Sequence, residues 1–269
     1  MGKVIAVANQ KGGVGKTTTS VNLASALACN GKRVLLVDID PQGNATSGCG
    51  VEKNDIEATL YDVFTGVFSL KSILVGTEQP SLWVAAANDD LVGADVVLSQ
   101  AVGREKILHN EIEELREQFD YIFIDCPPSL GLLTINALVA ADSLLVPLQC
   151  EYYALEGISS LMQSVRLARQ HLNPDLALEG VVLTMYDGRT NLARQVAQEA
   201  RSFFGNGVFS TVIPRNIRLS ESPSFGQPIF LYAPSSVGAK AYRSLANELE
   251  ERVAARIEDQ ELQQKTANS

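Results

Sequence analysis

The sequence predicts an α/β fold, a doubly wound and mostly parallel sheet flanked by helices, and three observations lead to it. Apolar runs typical of strands alternate with amphipathic helical segments along most of the 269 residues. The runs lack strict polar alternation, which is typical of strands covered by helices on both faces. A glycine-rich loop over 11–18 separates the first apolar run from the first helical segment. With no internal repeat and no long linker, we expect one domain over 1–257 and a polar tail over 258–269.

Local signals set the expected elements. A turn signal at Asn30-Gly31 precedes the second strand, and 104–119 places apolar residues near one face of a charged helix. We expect strands over 4–8, 33–38, 82–87, 121–125, 143–149, 181–185 and 208–213, and helices over 21–29, 104–119 and 239–257. A further helix is indicated by an apolar stripe at Leu155, Ile158, Leu161, Met162 and Val165.

Composition narrows the classes of function. The formal charge of −9 argues against a general attraction to nucleic acid, although 186–243 carries seven basic and three acidic side chains. Mean hydropathy is near zero, and no apolar run reaches the length of a membrane span. The four cysteines form no C-x-x-C pair, which disfavours zinc and iron–sulfur sites and fits a reducing cytoplasm.

The loop over 11–18 is the strongest chemical signal in the chain. It lies between a strand and a helix, which is the setting that a phosphate-binding loop requires. Its glycines let backbone N–H groups converge on phosphates, Lys16 would reach the β- and γ-phosphates, and the Thr17 hydroxyl would ligate Mg²⁺. Gln10 stands where the usual pattern has its first glycine, and an additional lysine, Lys11, begins the loop. The sequence therefore predicts nucleotide binding by Lys11, Gly12, Gly13, Val14, Gly15, Lys16, Thr17 and Thr18.

Three acidic residues, Asp38, Asp40 and Asp125, follow expected strands. The carboxyl ends of parallel strands form the ligand-binding edge of an open α/β sheet, so these acids should gather beside the loop. Asp125 has the setting of an acid that holds Mg²⁺ directly or through water. A single acid at a strand end is more often a turn or cap residue; the neighbouring phosphate loop favours function here.

These motifs resemble the deviant Walker A ATPases of the ParA/MinD superfamily, and in particular the chromosomal ParA proteins of the Soj group. The likeness rests on the loop over 11–18 and on the runs 38–44, 125–129, 185–192 and 213–222. It implies a P-loop NTPase fold with ATP and Mg²⁺ as cofactors. It also implies that Asp40 orients or activates the attacking water, and that Asp38 supports Thr17 and the metal shell. Lys11, Lys16 and Asp40 are the catalytic residues on this basis.

The resemblance extends to a switch. It implies that ATP joins two subunits into a homodimer, in which Gly12 allows close approach and Lys11 reaches the partner's γ-phosphate. The dimer would bind double-stranded DNA without sequence preference, and a ParB-type partner would accelerate an otherwise slow hydrolysis. Arg189 and Arg218 match DNA-contact positions, whereas without the resemblance they read as solvated arginines. Met185 and Pro214 fall near the adenine. The expected location is cytoplasmic and nucleoid-associated, with no membrane binding.

Other readings stay open at this point. A MinD-like, membrane-cycling regulator of cell division is the main alternative, and the acidic carboxyl-terminal segment disfavours it. A metal-cluster carrier or nitrogenase-reductase relative would share the loop but lacks suitable cysteine spacing. A metabolic kinase would need an acceptor-binding motif, which we do not find. His109 and His171, the two histidines, are expected on the surface and form no catalytic triad.

Overall fold

The computed structural model describes residues 2–151 and 154–267, with no side chain described for 152–161, 164 or 260–267. In this part of the chain, eight strands form a single sheet in the order β3-β4-β2-β5-β1-β6-β7-β8. All neighbouring strands are parallel except β3 and β4, which are antiparallel. The strands are β1 Lys3–Val7, β2 Val34–Asp38, β3 Leu74–Gly76, β4 Leu82–Ala85, β5 Tyr121–Asp125, β6 Ser143–Gln149, β7 Ala177–Tyr186 and β8 Val208–Pro214.

Helices cover both faces of the sheet, which confirms the predicted fold class. They are α1 Lys16–Cys29, α2 Asn44–Gly48, α3 Leu60–Phe64, α4 Ala94–Gln100, α5 Ile107–Glu113, α6 Leu132–Ala140, α7 Ala154–His171, α8 Asn191–Phe204, α9 Ile217–Glu221, α10 Ile229–Tyr232 and α11 Val237–Ala267. Short 3₁₀ turns occur at Lys53–Asp55, Leu70–Ile73, Asp89–Gly93, Arg104–Lys106, Gly205–Gly207 and Ser222–Phe225. No helix within 2–151 and 154–267 has the length and apolar character needed to cross a membrane.

Two apolar cores, one on each face of the sheet, explain the uninterrupted apolar strands. In β1, Val4 and Ala6 belong to the core on one face, and Ile5 and Val7 belong to the core on the other. All four side chains are fully buried. Because strand residues point alternately to opposite faces, a sheet covered twice needs apolar residues at every position.

Several elements differ from the expected ones. The strand expected over 82–87 ends at Ala85, and β3 was missed because it has only three residues. The helix expected over 104–119 is a 3₁₀ turn followed by α5, which ends at Glu113. Leu115 and Phe119 still reach the core, from a turn and from the residues just after it rather than from a helix. Their apolar character therefore indicated that they are buried, and it did not indicate that the helix continues to them.

The carboxyl-terminal helix is also longer than expected. α11 passes the predicted boundary at 257 and continues to Ala267, so most of the polar tail is helical. In α7, Val165 is buried and Met162 is half-buried, while Leu155, Ile158 and Leu161 lie outside the described side chains. His171 is exposed as expected. His109 is half-buried instead, and its Nδ1 has no hydrogen-bond partner among the described residues.

Candidate nucleotide-binding site

The glycine-rich loop connects the carboxyl end of β1 to the first turn of α1. Gly13 and Gly15 have φ of 74° and 89°, a left-handed backbone that L side chains rarely adopt. These two residues therefore explain why the loop needs glycine. α1 begins at Lys16, so its free N–H groups and the positive end of its dipole lie at the loop. The result is an anion site built from backbone.

Lys16 is buried in this loop, and its Nζ donates to the carbonyl oxygen of Lys11 at 3.3 Å. Burial lowers the pKa of Lys16, while the nearby charges of Asp125 and Asp40 oppose that shift. A desolvated ammonium gains more from an anionic ligand than an exposed one does, because little water screens the attraction. Lys16 is thus suited to hold phosphate.

Asp38 and Asp125 lie side by side because β2 and β5 are neighbours, and the two residues are register partners. Both are fully buried. Asp125 accepts hydrogen bonds from the hydroxyls of Thr17 at 2.8 Å and Ser20 at 2.7 Å. Asp38 accepts from the backbone N–H of Thr46 at 2.8 Å and from its hydroxyl at 2.7 Å. The sheet topology therefore brings the predicted metal-binding residues together.

The electrostatics of this pair favour a divalent cation. Burial, and then the charge of Asp125, raise the pKa of Asp38 to about 7. Burial is also the main cause that raises the pKa of Asp125 to about 6. The described residues contain no cluster of three or more His, Cys, Asp or Glu that could hold a metal alone. Mg²⁺ characteristically takes one or two carboxylates and completes its shell with water and substrate phosphates, so Thr17, Asp38 and Asp125 fit this ion.

Asp40 leaves β2 two residues after Asp38 and is largely buried. Its backbone N–H donates to Asp38 Oδ1 at 3.2 Å, and its Oδ1 accepts from the N–H of Gln42 at 3.0 Å. Its side chain is therefore held at the same edge of the sheet as the buried carboxylates.

A pocket of about 260 Å³ adjoins the loop and contains both residues expected near adenine. Met185 and Pro214 line it together with Gly15 and Thr18 of the loop. Met185 has φ of 49°, one of two non-glycine residues within the described chain with positive φ. Backbone strain of this kind persists where the surroundings enforce it and is frequent at binding sites.

Among the pocket residues that sequence reasoning missed are Thr184, Asn216 and Tyr242. The Thr184 hydroxyl donates to the carbonyl oxygen of Val14 at 2.7 Å, which ties β7 to the phosphate loop. The hydroxyl of Tyr242 lies 3.2 Å from that of Thr19. Asn216 stands within the run 213–222 that carried the resemblance, whereas nothing local marked Thr184 or Tyr242. Only the packing of α11 against α1 brings Tyr242 to the site.

Lys11 and Gly12 have a different environment. The N–H of Lys11 donates to Asn9 Oδ1 at 3.0 Å, and its side chain is half-buried. A Cβ added to Gly12 would meet no described atom within 4 Å. The fold of the described chain therefore gives no steric reason for glycine at position 12.

The two candidate DNA-contact arginines follow adjacent strands. Arg189 lies in the loop after β7 and has a side chain that is 90% exposed, in an ion pair with Asp187 at 2.7 Å. Arg218 lies in α9 after β8 and pairs with Glu221 at 2.8 Å. Hydrogen bonds from Arg189 hold the pKa of Asp187 at about 2. Both arginines thus lie beyond the same edge of the sheet as the nucleotide site.

The loop, the buried lysine and the paired carboxylates on a parallel sheet define a P-loop nucleotide-binding protein. A family model described as AAA domain matches residues 2–178. The chain is 57% identical to the sporulation initiation inhibitor protein Soj of Bacillus subtilis over 249 residues, 93% of this chain and 98% of that protein. It is 52% identical to the chromosome partitioning protein ParA of Myxococcus xanthus over 252 residues, 94% of this chain and 89% of that protein.

A solved structure with a bound nucleotide is also similar to this chain. It is titled cobyrinic acid a,c-diamide synthase from Mycobacterium smegmatis, with bound ADP and magnesium. It matches with a TM-score of 0.81 and 39% identity, covering 92% of this chain and 93% of that one. The chain belongs to the Soj/ParA family of chromosome-partitioning proteins.

Proposed function

We propose that this chain is a DNA-segregation ATPase whose nucleotide state controls its association with itself and with DNA. The observation that carries the proposal is the buried triad of Lys16, Asp38 and Asp125 at the phosphate loop. This site has one desolvated cation for phosphate and two adjacent carboxylates that a divalent cation would neutralise. The name of the ParA relative supports chromosome partitioning as the process.

ATP binds with its phosphates in the loop over 11–18 and its adenine in the pocket lined by Met185 and Pro214. Thr17, Asp38 and Asp125 would hold Mg²⁺, and the ion would supply positive charge to the bound phosphates. Asp40 orients the attacking water, and Lys16 stabilises charge that develops on the transferred phosphoryl group. Intrinsic turnover is slow, because the output is a change of state rather than a product.

The ATP-bound form is a homodimer with the two nucleotides at the interface. Lys11 donates to the γ-phosphate of the other subunit, and Gly12 lets the two backbones approach. The unobstructed space around Gly12 supports this role, because the described part of its own chain gives no steric reason for a glycine there. Lys16 already serves the phosphates of its own subunit, so a second lysine in the loop requires another target.

The dimer binds double-stranded DNA without sequence preference, through a surface that includes Arg189 and Arg218. Their exposure and their position beyond the adjacent strands β7 and β8 support a shared surface near the nucleotide. Binding should weaken steeply with salt, because phosphate neutralisation releases counterions. Hydrolysis, accelerated by a ParB-type partner, returns the monomer and releases DNA. The protein then acts in the cytoplasm, on the nucleoid.

A MinD-like membrane cycle is the second candidate, and α11 disfavours it. Membrane-surface helices present basic residues to anionic lipid. In α11, Arg252 instead packs over the Phe209 ring at 4.0 Å and pairs with Glu248, while Arg256 pairs with the buried Glu179. ATP-dependent sedimentation with anionic liposomes, in the absence of DNA, would favour the membrane cycle over the proposal.

DNA co-sedimentation tests the nucleotide switch. We expect the wild type to sediment with DNA in ATP and not in ADP, Lys16→Ala to fail in both, and Asp40→Ala to remain bound in ATP. As a control for the DNA surface, Arg189→Glu should lose DNA and keep ATP-dependent dimerisation, measured by analytical ultracentrifugation. DNA binding that ignores the nucleotide would contradict the proposal.

A further inference from the structure

The sheet has an open edge at β3 that the nucleotide site does not use. β3 is the terminal strand and pairs only with β4 among the described residues. Val75 is the register partner of Val84, and the N–H of Thr77 donates to the carbonyl oxygen of Leu82. Since hydrogen bonding alternates along an antiparallel strand, the backbone groups of Leu74 and Gly76 point away from β4. Such groups are a template for an added strand.

A groove of about 550 Å³ runs along this edge. One wall is β3, and the other is the segment from Gly50 to Ala58. Part of its lining is apolar: Val75 and Ile56 are half-buried, and the side chain of Phe68 is 45% exposed. An extended peptide seated on β3 would therefore find both backbone partners and an apolar surface for alternate side chains.

The charge of the groove selects the occupant. Among the described residues, no lysine or arginine lines the groove, whereas four exposed carboxylates do: Glu52, Asp55, Glu57 and Glu78. Two lysines, Lys53 and Lys71, are sequence neighbours of lining residues but do not themselves line the groove, and Lys53 donates to the carbonyl oxygen of Gln42 at 2.7 Å. A second copy of the chain would bring the same acids to the edge, which like-charge repulsion opposes. The complementary occupant is a cationic segment.

We propose that this groove binds an extended, basic segment of a partner protein, which adds to the sheet as a strand beside β3. The segment would alternate lysine or arginine with apolar residues, so that the apolar side chains fill the groove and the cations meet the four acids. The proposal stands apart from ATP hydrolysis and from DNA binding, and neither is needed for it.

The groove also borders the nucleotide site along the chain. Its wall starts at Gly50, two residues after α2 ends at Gly48. Within α2, Thr46 donates two hydrogen bonds to Asp38. A peptide in the groove would thus lie against the residues that follow α2, the helix whose Thr46 holds Asp38.

A defined peptide provides the test. The probe is a fluorescent, amide-capped hexapeptide that alternates lysine or arginine with valine, titrated into the nucleotide-free protein at low salt and followed by anisotropy. We expect the pair Glu57→Lys and Glu78→Lys to bind it about tenfold more weakly, since rim charges set such affinities. The matched pair Glu114→Lys and Glu117→Lys changes the net charge equally on exposed positions outside the groove, and should bind within about twofold of wild type.

Backbone pairing needs its own readout. A peptide methylated at alternate amide nitrogens keeps its charges but cannot add to β3, so it should bind about tenfold more weakly. The intact peptide should slow hydrogen exchange at Gly76. Equal binding of both peptides, or equal losses in both charge-reversal pairs, would overturn the proposal. If the protein self-associates and only the pair Glu57→Lys and Glu78→Lys changes this association, the edge binds a second copy of the chain. That result would also overturn the proposal.

Discussion

The hydroxyl of Thr46 gives a sharp test of how the site holds Asp38. It donates to Asp38 at 2.7 Å and accepts from the N–H of Ala87 at 3.0 Å, and the residue is fully buried. Thr46→Val keeps the shape of the side chain and removes both bonds. Asp38 then retains only the N–H groups of Thr46 and Asp40 as hydrogen-bond donors among its observed partners, while the N–H of Ala87 loses the hydroxyl.

The expected magnitude follows from these two losses. An unsatisfied buried N–H costs about 1–3 kcal/mol and a bond to a charged acceptor contributes about 1.5–3 kcal/mol, so we expect a loss of roughly 3 kcal/mol. At about 2–4 °C per kcal/mol for a chain of this size, the melting temperature should fall by roughly 6–12 °C. Urea unfolding at pH 8, without nucleotide or Mg²⁺, measures the free energy directly.

Thr46→Ser is the matched control, because it keeps the hydroxyl and loses one methyl group. It should lose only about 1 kcal/mol. If Thr46→Val and Thr46→Ser have the same free energy of unfolding within about 0.5 kcal/mol, the hydrogen bonds of the hydroxyl do not stabilise the site and the reasoning fails.

Three further predictions concern charge, burial and backbone. Because the folded-state pKa of Asp38 is raised from 3.8 to about 7, the Mg²⁺-free protein should lose stability as pH rises from about 4 to 7. Urea titrations at a series of pH values measure this loss, and Asp38→Asn should make it smaller. A loss of the same size in Asp38→Asn would contradict the prediction. Arg256→Ala removes the main cationic partner of the buried Glu179, which keeps the hydroxyl of Ser143 and a longer contact with Lys3. The free energy of unfolding measured in urea should fall by about 2 kcal/mol. Arg169→Ala, at an exposed site, is the control and should leave that free energy unchanged. Gly226→Ala should lower the melting temperature more than Gly103→Ala. Both positions have a positive φ, of 62° and 70°, but an added Cβ at Gly226 would lie 3.3 Å from the Cα of Gly50, whereas one at Gly103 would meet open space. Equal losses would mean that the contact with Gly50 does not matter.

Much of the site could be predicted because its residues follow strands directly. Asp38 and Asp125 each end an apolar run, and a parallel sheet brings the carboxyl ends of its strands to one edge. Their proximity could therefore be predicted once their two strands were taken as neighbours. Gly13 and Gly15 were predictable for a similar reason, since the turn between a strand and a helix imposes their backbone conformation. The roles given to Lys11, Arg189 and Arg218 came from resemblance, and they stay predictions.

The length of a helix was harder to predict than its presence. Apolar spacing alone extended the predicted helix over 104–119, although Leu115 and Phe119 reach the core from residues beyond the end of α5. In contrast, α11 passes the boundary at 257, where the sequence turns polar. The spacing of apolar residues indicates which side chains are buried. It does not set where a helix ends, because continuing or ending the helix at such residues differs little in local free energy.

By itself, the sequence determined the α/β class, the phosphate loop and the acids beside it, because each depends on residues close together in the chain. Only the tertiary structure decided which distant residues complete the site. Tyr242 meets Thr19 across 223 positions, Thr184 meets Val14 across 170, and the open edge at β3 exists because of the order of the strands. Contacts of this kind depend on how whole elements pack, and no local pattern of polarity encodes that packing.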